Sequence, residues 1–187
     1  MMLKQELTGK TYSLQNRLRL FQSTVGATLL YGAEAWALTR QMEKKVLRLQ
    51  RRMLRMILGH GRRKLGPEDD ELEPWVDWLK RTTREAEKKL KEIGVETWTV
   101  SYRRRKWKWA SHVANMSAGR PANATAAWNA EFTSEKGRQV GHPSTRWSDS
   151  ITHILELHNI SVSWLEAAQD NNLWASLEEA YVEDSVR

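Results

Sequence analysis

Cysteine is missing from all 187 residues, which excludes a disulfide framework, a thiolate-ligated zinc site and a thiol nucleophile. Proline is scarce, at 4, and glycine stands at 10, so few turns are obligatory and long helices have room. No apolar run approaches the roughly 20 residues of a membrane-spanning helix. Residues 1–10 contain no apolar stretch of the signal-peptide kind. The sequons Asn123-Ala124-Thr125 and Asn159-Ile160-Ser161 therefore carry no weight as glycosylation sites. Phenylalanine and tyrosine are few, at 2 and 4, but there are 10 tryptophans, large rigid surfaces suited to a core or to stacking. With 40% hydrophobic and 28% charged residues, the chain belongs with folded proteins of one domain or two small ones.

Charge is distributed unevenly. Residues 1–66 hold 14 Lys and Arg against 3 Asp and Glu. Residues 67–77 hold six acids and no base, and residues 78–109 return to 11 bases against 4 acids. Residues 148–187 carry 8 acids and one base. A basic front and an acidic tail imply a polyanion-facing surface confined to the front.

The hydrophobic pattern is helical throughout. Leu14, Leu18, Phe21 and Val25 recur at helical spacing, and Gly32 breaks the apolar joint 27–36 between two helices that fill the first 58 residues. Thr39 can cap the second of these, Glu43 lies in its first turn, and Gly59 and Gly61 end it. Further helices are expected at 73–92, stopped by Gly94, at 98–116, and in an Ala-rich stretch after Gly119-Arg120-Pro121 to about 132. A loop over 133–143 and helices near 144–158, 162–170 and 172–184 complete the chain. The expected class is all-α, a helical bundle of two subdomains: a basic segment 1–66, an acidic linker 67–77 and a C-terminal segment 78–187.

Helix 39–58 carries the clearest functional signal. At about 100° per residue, Met42, Val46, Leu49, Met53, Met56 and Ile57 share one face, opposite Lys44, Lys45, Arg48, Arg51, Arg52 and Arg55. Arg62, Arg63 and Lys64 continue the charge beyond the helix. Clustered cations release counterions from phosphates and bind nucleic acid without reading bases. A plain solvated face and a helix for calmodulin or a membrane surface are the alternatives, but solvated faces usually mix Glu with Lys, and here only Glu43 interrupts six bases. A second run spans residues 103–108 and includes Arg103 and Arg104. Within it, Trp107 falls on the opposite face from Trp109, Val113 and Met116, where it can stack on a base or pack against a neighbouring helix. The remaining tryptophans read as core, and His112, near Trp109 and Met116, as a packed residue.

Five segments, in order, resemble the C-terminal region of non-LTR (LINE-type) retrotransposon reverse transcriptases. Thr28-Leu29-Leu30-Tyr31-Gly32-Ala33-Glu34-Ala35-Trp36 is similar to the family's LLYGxExW stretch, and Leu49-Gln50-Arg51-Arg52-Met53-Leu54-Arg55-Met56-Ile57-Leu58-Gly59 to its hQxxxLRxILG helix. Residues 103–116 match RRxRWxGHVxRM loosely, with Ser111 in place of glycine. Gly141-His142-Pro143-Ser144-Thr145-Arg146-Trp147-Ser148-Asp149 is close to GRPxxRWxD, with His142 in place of arginine. Ser163-Trp164-Leu165-Glu166-Ala167-Ala168-Gln169-Asp170, with Leu173-Trp174, resembles SWxEAAQDRxxW. In that family this region follows the palm and forms the thumb and the helices beyond it. The resemblance implies a piece that grips the template–primer duplex, an RNA–DNA or DNA duplex, by its backbone. It also implies association with palm and fingers and an intracellular, nuclear or cytoplasmic ribonucleoprotein setting without membrane contact. The family places an apolar residue at the Trp107 position, which favours burial there.

Catalysis by the chain alone is not expected. Two-metal phosphoryl transfer needs converging carboxylates. The nearest pair, Asp69-Asp70, sits in the acidic linker without apolar flanks, and His60, His112, His142, His153 and His158 show no ligand spacing. No cofactor or metal is implied. The residues expected to contact phosphates are Lys44, Lys45, Arg48, Arg51, Arg52, Arg55, Arg62, Arg63, Arg103 and Arg104. A helical module docking an acidic partner, or a decayed element remnant without activity, is the alternative.

Overall fold

Helix follows helix along the chain. The computed structural model describes residues 2–66, 71–117, 119–127 and 146–184. Its helices are α1 (Met2–Thr8), α2 (Leu14–Phe21), α3 (Arg40–Leu58), α4 (Trp75–Glu92), α5 (Trp98–Ala114), α6 (Pro121–Ala127), α7 (Asp149–Leu157), α8 (Trp164–Ala167) and α9 (Asn171–Glu183). α2 runs on through a π-helical turn, Gln22–Gly26, and the short helix Ala27–Leu29, and Ala33–Ala35 forms a 3-10 turn. Among the described residues there is no strand, only one isolated antiparallel bridge between Lys64 and Leu72. The all-α class expected from the pattern is therefore the class observed.

Local chemistry sets the helix ends. The Thr39 hydroxyl accepts the Met42 N–H at 3.2 Å at the start of α3. Gly59 and Gly94, at φ +65° and +70°, end α3 and α4 in a left-handed conformation that a Cβ would strain. Ser163 and Glu166 form a reciprocal capping box on α8. The first 58 residues hold one helix more than expected, because Ser13 caps α2 through the Asn16 N–H and separates it from α1. The end of the Ala-rich helix near 132, the loop 133–143 and most of the glycine–proline motif lie outside the described residues.

The chain forms two compact units, Met1–Tyr31 with Lys44–Thr99, and Gly32–Glu43 with Val100–Arg187. This division differs from the segments 1–66 and 78–187 drawn from charge, because both flanks of the acidic stretch belong to the first unit. The reason is a set of local bonds: Glu73 N–H donates to the Arg63 carbonyl at 2.8 Å, and Leu65 N–H to the Glu71 carbonyl at 3.0 Å.

In the first unit, Phe21 stacks on Trp98 with centroids 5.2 Å apart, both fully enclosed, with Leu18, Leu30, Leu54, Ile57, Ala86 and Leu90 buried as well. Arg17 donates to the Leu7 carbonyl at 3.1 Å and the Ile57 carbonyl at 2.7 Å, placing a cation at the C-terminal ends of α1 and α3, where the helix dipole favours it. Gln50 accepts the Trp98 N–H at 3.0 Å and so satisfies a first-turn donor of α5. The buried residues of α3 are Glu43, Gln50, Leu54, Ile57 and Leu58, about a quarter turn from the apolar face expected. Met42, Leu49 and Met56 remain 48%, 46% and 48% exposed. Trp75 also departs from the core reading, being 58% exposed and tilted against Trp78.

The second unit is built around Trp107, which lies flat on Trp174 at 3.8 Å and against Tyr181 at 4.8 Å. Each indole N–H of the tryptophan pair donates to the other's backbone carbonyl, at 3.1 and 3.2 Å. Ala110, Val113, Ile151, Ile154, Leu155, Trp164 and Leu177 close around them. Truncating such a side chain to Ala costs about 3–5 kcal/mol. The burial reading of Trp107 is the one observed. His112 departs from its packed reading: it is exposed, with its ring 5.2 Å from Trp109.

Lys106 is enclosed too, at 1% exposure, donating to Ser150 Oγ at 3.2 Å and Tyr102 Oη at 3.4 Å, with the Trp147 ring 5.1 Å away. Burial pushes its ammonium down to about 8. Between pH 8 and the ordinary lysine value the unfolded chain holds a proton that the folded chain lacks, so this group's cost is relieved as pH rises. Burial pushes the Tyr181 hydroxyl up to about 12, which reverses the trend above pH 10. Urea unfolding should therefore show stability rising by about 2 kcal/mol between pH 7.5 and 9.5 in the parent. In Lys106→Met the rise should be absent; an equal rise there would contradict this assignment.

Candidate nucleic-acid interface

α3 and α4 run antiparallel within the first unit, held by polar contacts stepped along both helices. Arg51 Nε donates to Glu87 Oε1 at 2.7 Å, Arg55 to Thr83 Oγ1 at 3.0 Å, and Trp78 Nε1 to the His60 carbonyl at 2.9 Å. Thr82, Ala86 and Leu90, on the adjoining side of α4, are buried in the core. Desolvation, then the charges of Arg51 and Arg52, lower the Arg55 pKa.

Cations line the solvent side of this junction. On α3, Lys44, Lys45, Arg48 and Arg52 are exposed and, among the described residues, form no ion pair. On α4, Lys80, Arg84, Lys88 and Lys91 are likewise exposed and form no ion pair. Their spacing of four, four and three residues puts them within an arc of about 80°. That row went unread in the sequence, although its spacing and the positive balance of residues 78–109 were its signal.

The other expected contacts are used differently. Arg51 and Arg55 lie half-buried in the junction itself. Arg62 donates to the backbone carbonyls of Glu73 and Leu72 at 2.6 and 3.1 Å, while the Arg63 side chain is exposed beside them. Glu73 takes the Arg81 guanidinium at 2.5 and 3.0 Å and the Arg63 N–H at 2.9 Å, and these partners hold its carboxyl down at about 2.

Arg103 and Arg104 lie in the second unit. Arg103 is 2% exposed, paired with Glu43 at 3.0 Å and donating to the Tyr181 carbonyl at 2.7 Å. Arg104 bridges Glu178 and Glu179 at 2.9 and 2.7 Å. The run 103–108 thus serves the interior and the acidic tail, because α5 lies between Glu43 and α9 in that unit.

Among the described residues, no three His, Asp or Glu side chains converge to hold a metal ion. Asp69, Asp70 and His142 lie outside them. No helix among the described residues is long and apolar enough to cross a membrane. The exposed Lys and Arg of the α3–α4 surface give it an electrostatic character. Cations at helical spacing can neutralise phosphates along a backbone, which carries no sequence information.

Over 170 residues the chain is 26% identical to a transposon-derived protein of Caenorhabditis elegans, an alignment covering 86% of this chain and 53% of that one. The chain spans about half the length of the curated relative it matches. A transposable-element origin is consistent with this likeness. No family model matches the chain, and no solved structure matches it.

The two sets of arginines separate under mutation. Arg103→Gln leaves Glu43 buried without its partner and should cost about 3–5 kcal/mol by urea unfolding. Arg48→Gln should stay within about 0.5 kcal/mol of the parent. Equal losses in the two variants would contradict the distinction.

Proposed function

We propose that this chain grips the backbone of a nucleic-acid duplex through the α3–α4 surface. It serves as the thumb-like, non-catalytic part of a non-LTR retrotransposon reverse transcriptase and works inside an intracellular ribonucleoprotein. The observation that carries the reading is the double row of exposed cations without ion pairs, Lys44, Lys45, Arg48 and Arg52 on one helix and Lys80, Arg84, Lys88 and Lys91 on its antiparallel neighbour. The order of the five family-like segments and the transposon-derived relative support the same reading. At a rise of 1.5 Å per residue the α4 row is about 16 Å long. With phosphates about 3.4 Å apart along one strand, that length faces roughly five of them. The mechanism is positional: the surface holds a template–primer duplex in register while chemistry takes place on a palm outside the 187 residues. Lys and Arg at this spacing recognise the backbone of RNA–DNA or DNA duplex alike.

Duplex affinity should fall steeply with salt. With roughly 4–6 phosphates neutralised, log K against log [salt] should slope by about −3.5 to −5.5. Changing Arg48, Arg52, Arg84 and Lys88 together to Gln, which keeps helix propensity, should flatten that slope by up to about four phosphate steps. Circular dichroism of the variant should match the parent. A folded quadruple variant with the parent's slope would place duplex binding elsewhere.

A further inference from the structure

α3 carries a second exposed surface, apart from its cations. Val46, Leu49, Met53 and Met56 lie within an arc of about 80°, roughly 160° around the helix from Arg51 and Arg55 and so on the side away from α4. Leu49 and Met56 are 46% and 48% exposed, and Val46 and Met53 are half-buried. Their spacing of three, four and three residues is that of a coiled-coil seam, the stripe one helix offers to another. The register of α3 explains why the stripe stays outside: Gln50 and Leu54, not these residues, are turned into the core.

The charges beside the stripe select its occupant. On its solvent side the flanking residues are Lys45 and Arg52, with Arg48 behind them, all exposed. From Lys44 to Leu58 the helix has no acidic residue. A second copy of this chain would bring the same cations against Lys45 and Arg52, and like charges at flanking positions oppose pairing. We infer that the Val46–Leu49–Met53–Met56 stripe docks an amphipathic helix of a protein partner, with apolar residues along its seam and Glu or Asp at its flanking positions. Two unbranched methionines in the stripe let it adapt to varied apolar side chains. This contact is separate from the phosphate-facing rows, although Lys45 and Arg52 border both.

The test uses the full chain and a labelled four-heptad peptide with Leu at both seam positions and Glu at the flanks, followed by fluorescence anisotropy. A matched peptide carries Lys at the flanks. The Glu peptide should bind at least tenfold more tightly than the Lys peptide. Leu49→Gln with Met56→Gln should weaken Glu-peptide binding at least tenfold while the circular dichroism and duplex affinity stay within twofold of the parent. Equal binding of both peptides, or undiminished binding by the double variant, overturns the inference. Absent peptide binding, together with phosphatidylserine-vesicle binding that the double variant loses, overturns it in favour of a membrane surface. A concentration-dependent dimer abolished by the same variant overturns it in favour of a second copy. Loss of duplex binding in a variant with Lys80, Arg84, Lys88 and Lys91 all changed to Gln, which touches α4 alone, with peptide binding retained, separates this contact from the nucleic-acid reading.

Discussion

Gln50 sits in the middle of the buried face of α3, and its side-chain oxygen takes the Trp98 N–H at 3.0 Å. An unmet first-turn donor in a closed interior costs about 1–3 kcal/mol. This bond fixes α3 in rotation, with Leu54 and Ile57 following Gln50 inward. Everything exposed on the helix follows from that setting. Arg51 and Arg55 meet α4, Lys44, Arg48 and Arg52 face water, and Leu49, Met53 and Met56 form the outer stripe. A helix turned to bury its most apolar side would have lost the stripe and moved the cations away from those of α4.

Charge in this protein falls into two populations. In the second unit several cations are consumed: Arg103 by Glu43, Arg104 by Glu178 and Glu179, Arg40 by Asp184 at 3.2 Å, and Lys106 by hydroxyls and aromatic rings. Glu178, Glu179 and Asp184 of the acidic C-terminal segment are thus partners for that unit's own basic helix. The first unit has fewer acids available. Among its carboxylates, Glu73, Glu85, Glu87 and Glu92 meet Arg81, His60, Arg51 and Lys89, which leaves the outer rows of α3 and α4 predominantly cationic. A field of that kind draws a polyanion from solution and is screened by salt.

Helix positions were legible in the sequence because their signals are local. Thr39 precedes α3, and glycines at 59 and 94 follow α3 and α4. The orientation of α3 was not legible, since a helical wheel ranks residues by polarity and has no knowledge that Gln50 is needed 48 positions away. Arg103 and Arg104 looked like open cations for the same reason: their acids lie at 43, 178 and 179. The α4 row was visible in its spacing but was masked by the intervening Glu85, Glu87 and Lys89, which mix the linear charge pattern. Four of the ten residues expected at the site, Lys44, Lys45, Arg48 and Arg52, lie among its exposed cations without ion pairs.

The central claim is that the outer rows of α3 and α4 lie against phosphates together. Lysine acetylation in the presence and absence of duplex, read by mass spectrometry, tests it directly. Lys44, Lys45, Lys80, Lys88 and Lys91 should be protected when duplex is bound, while Lys4 and Lys10, on or beside α1, should react as before. Protection confined to α1, or no change at any of the α3 and α4 lysines, would contradict the account.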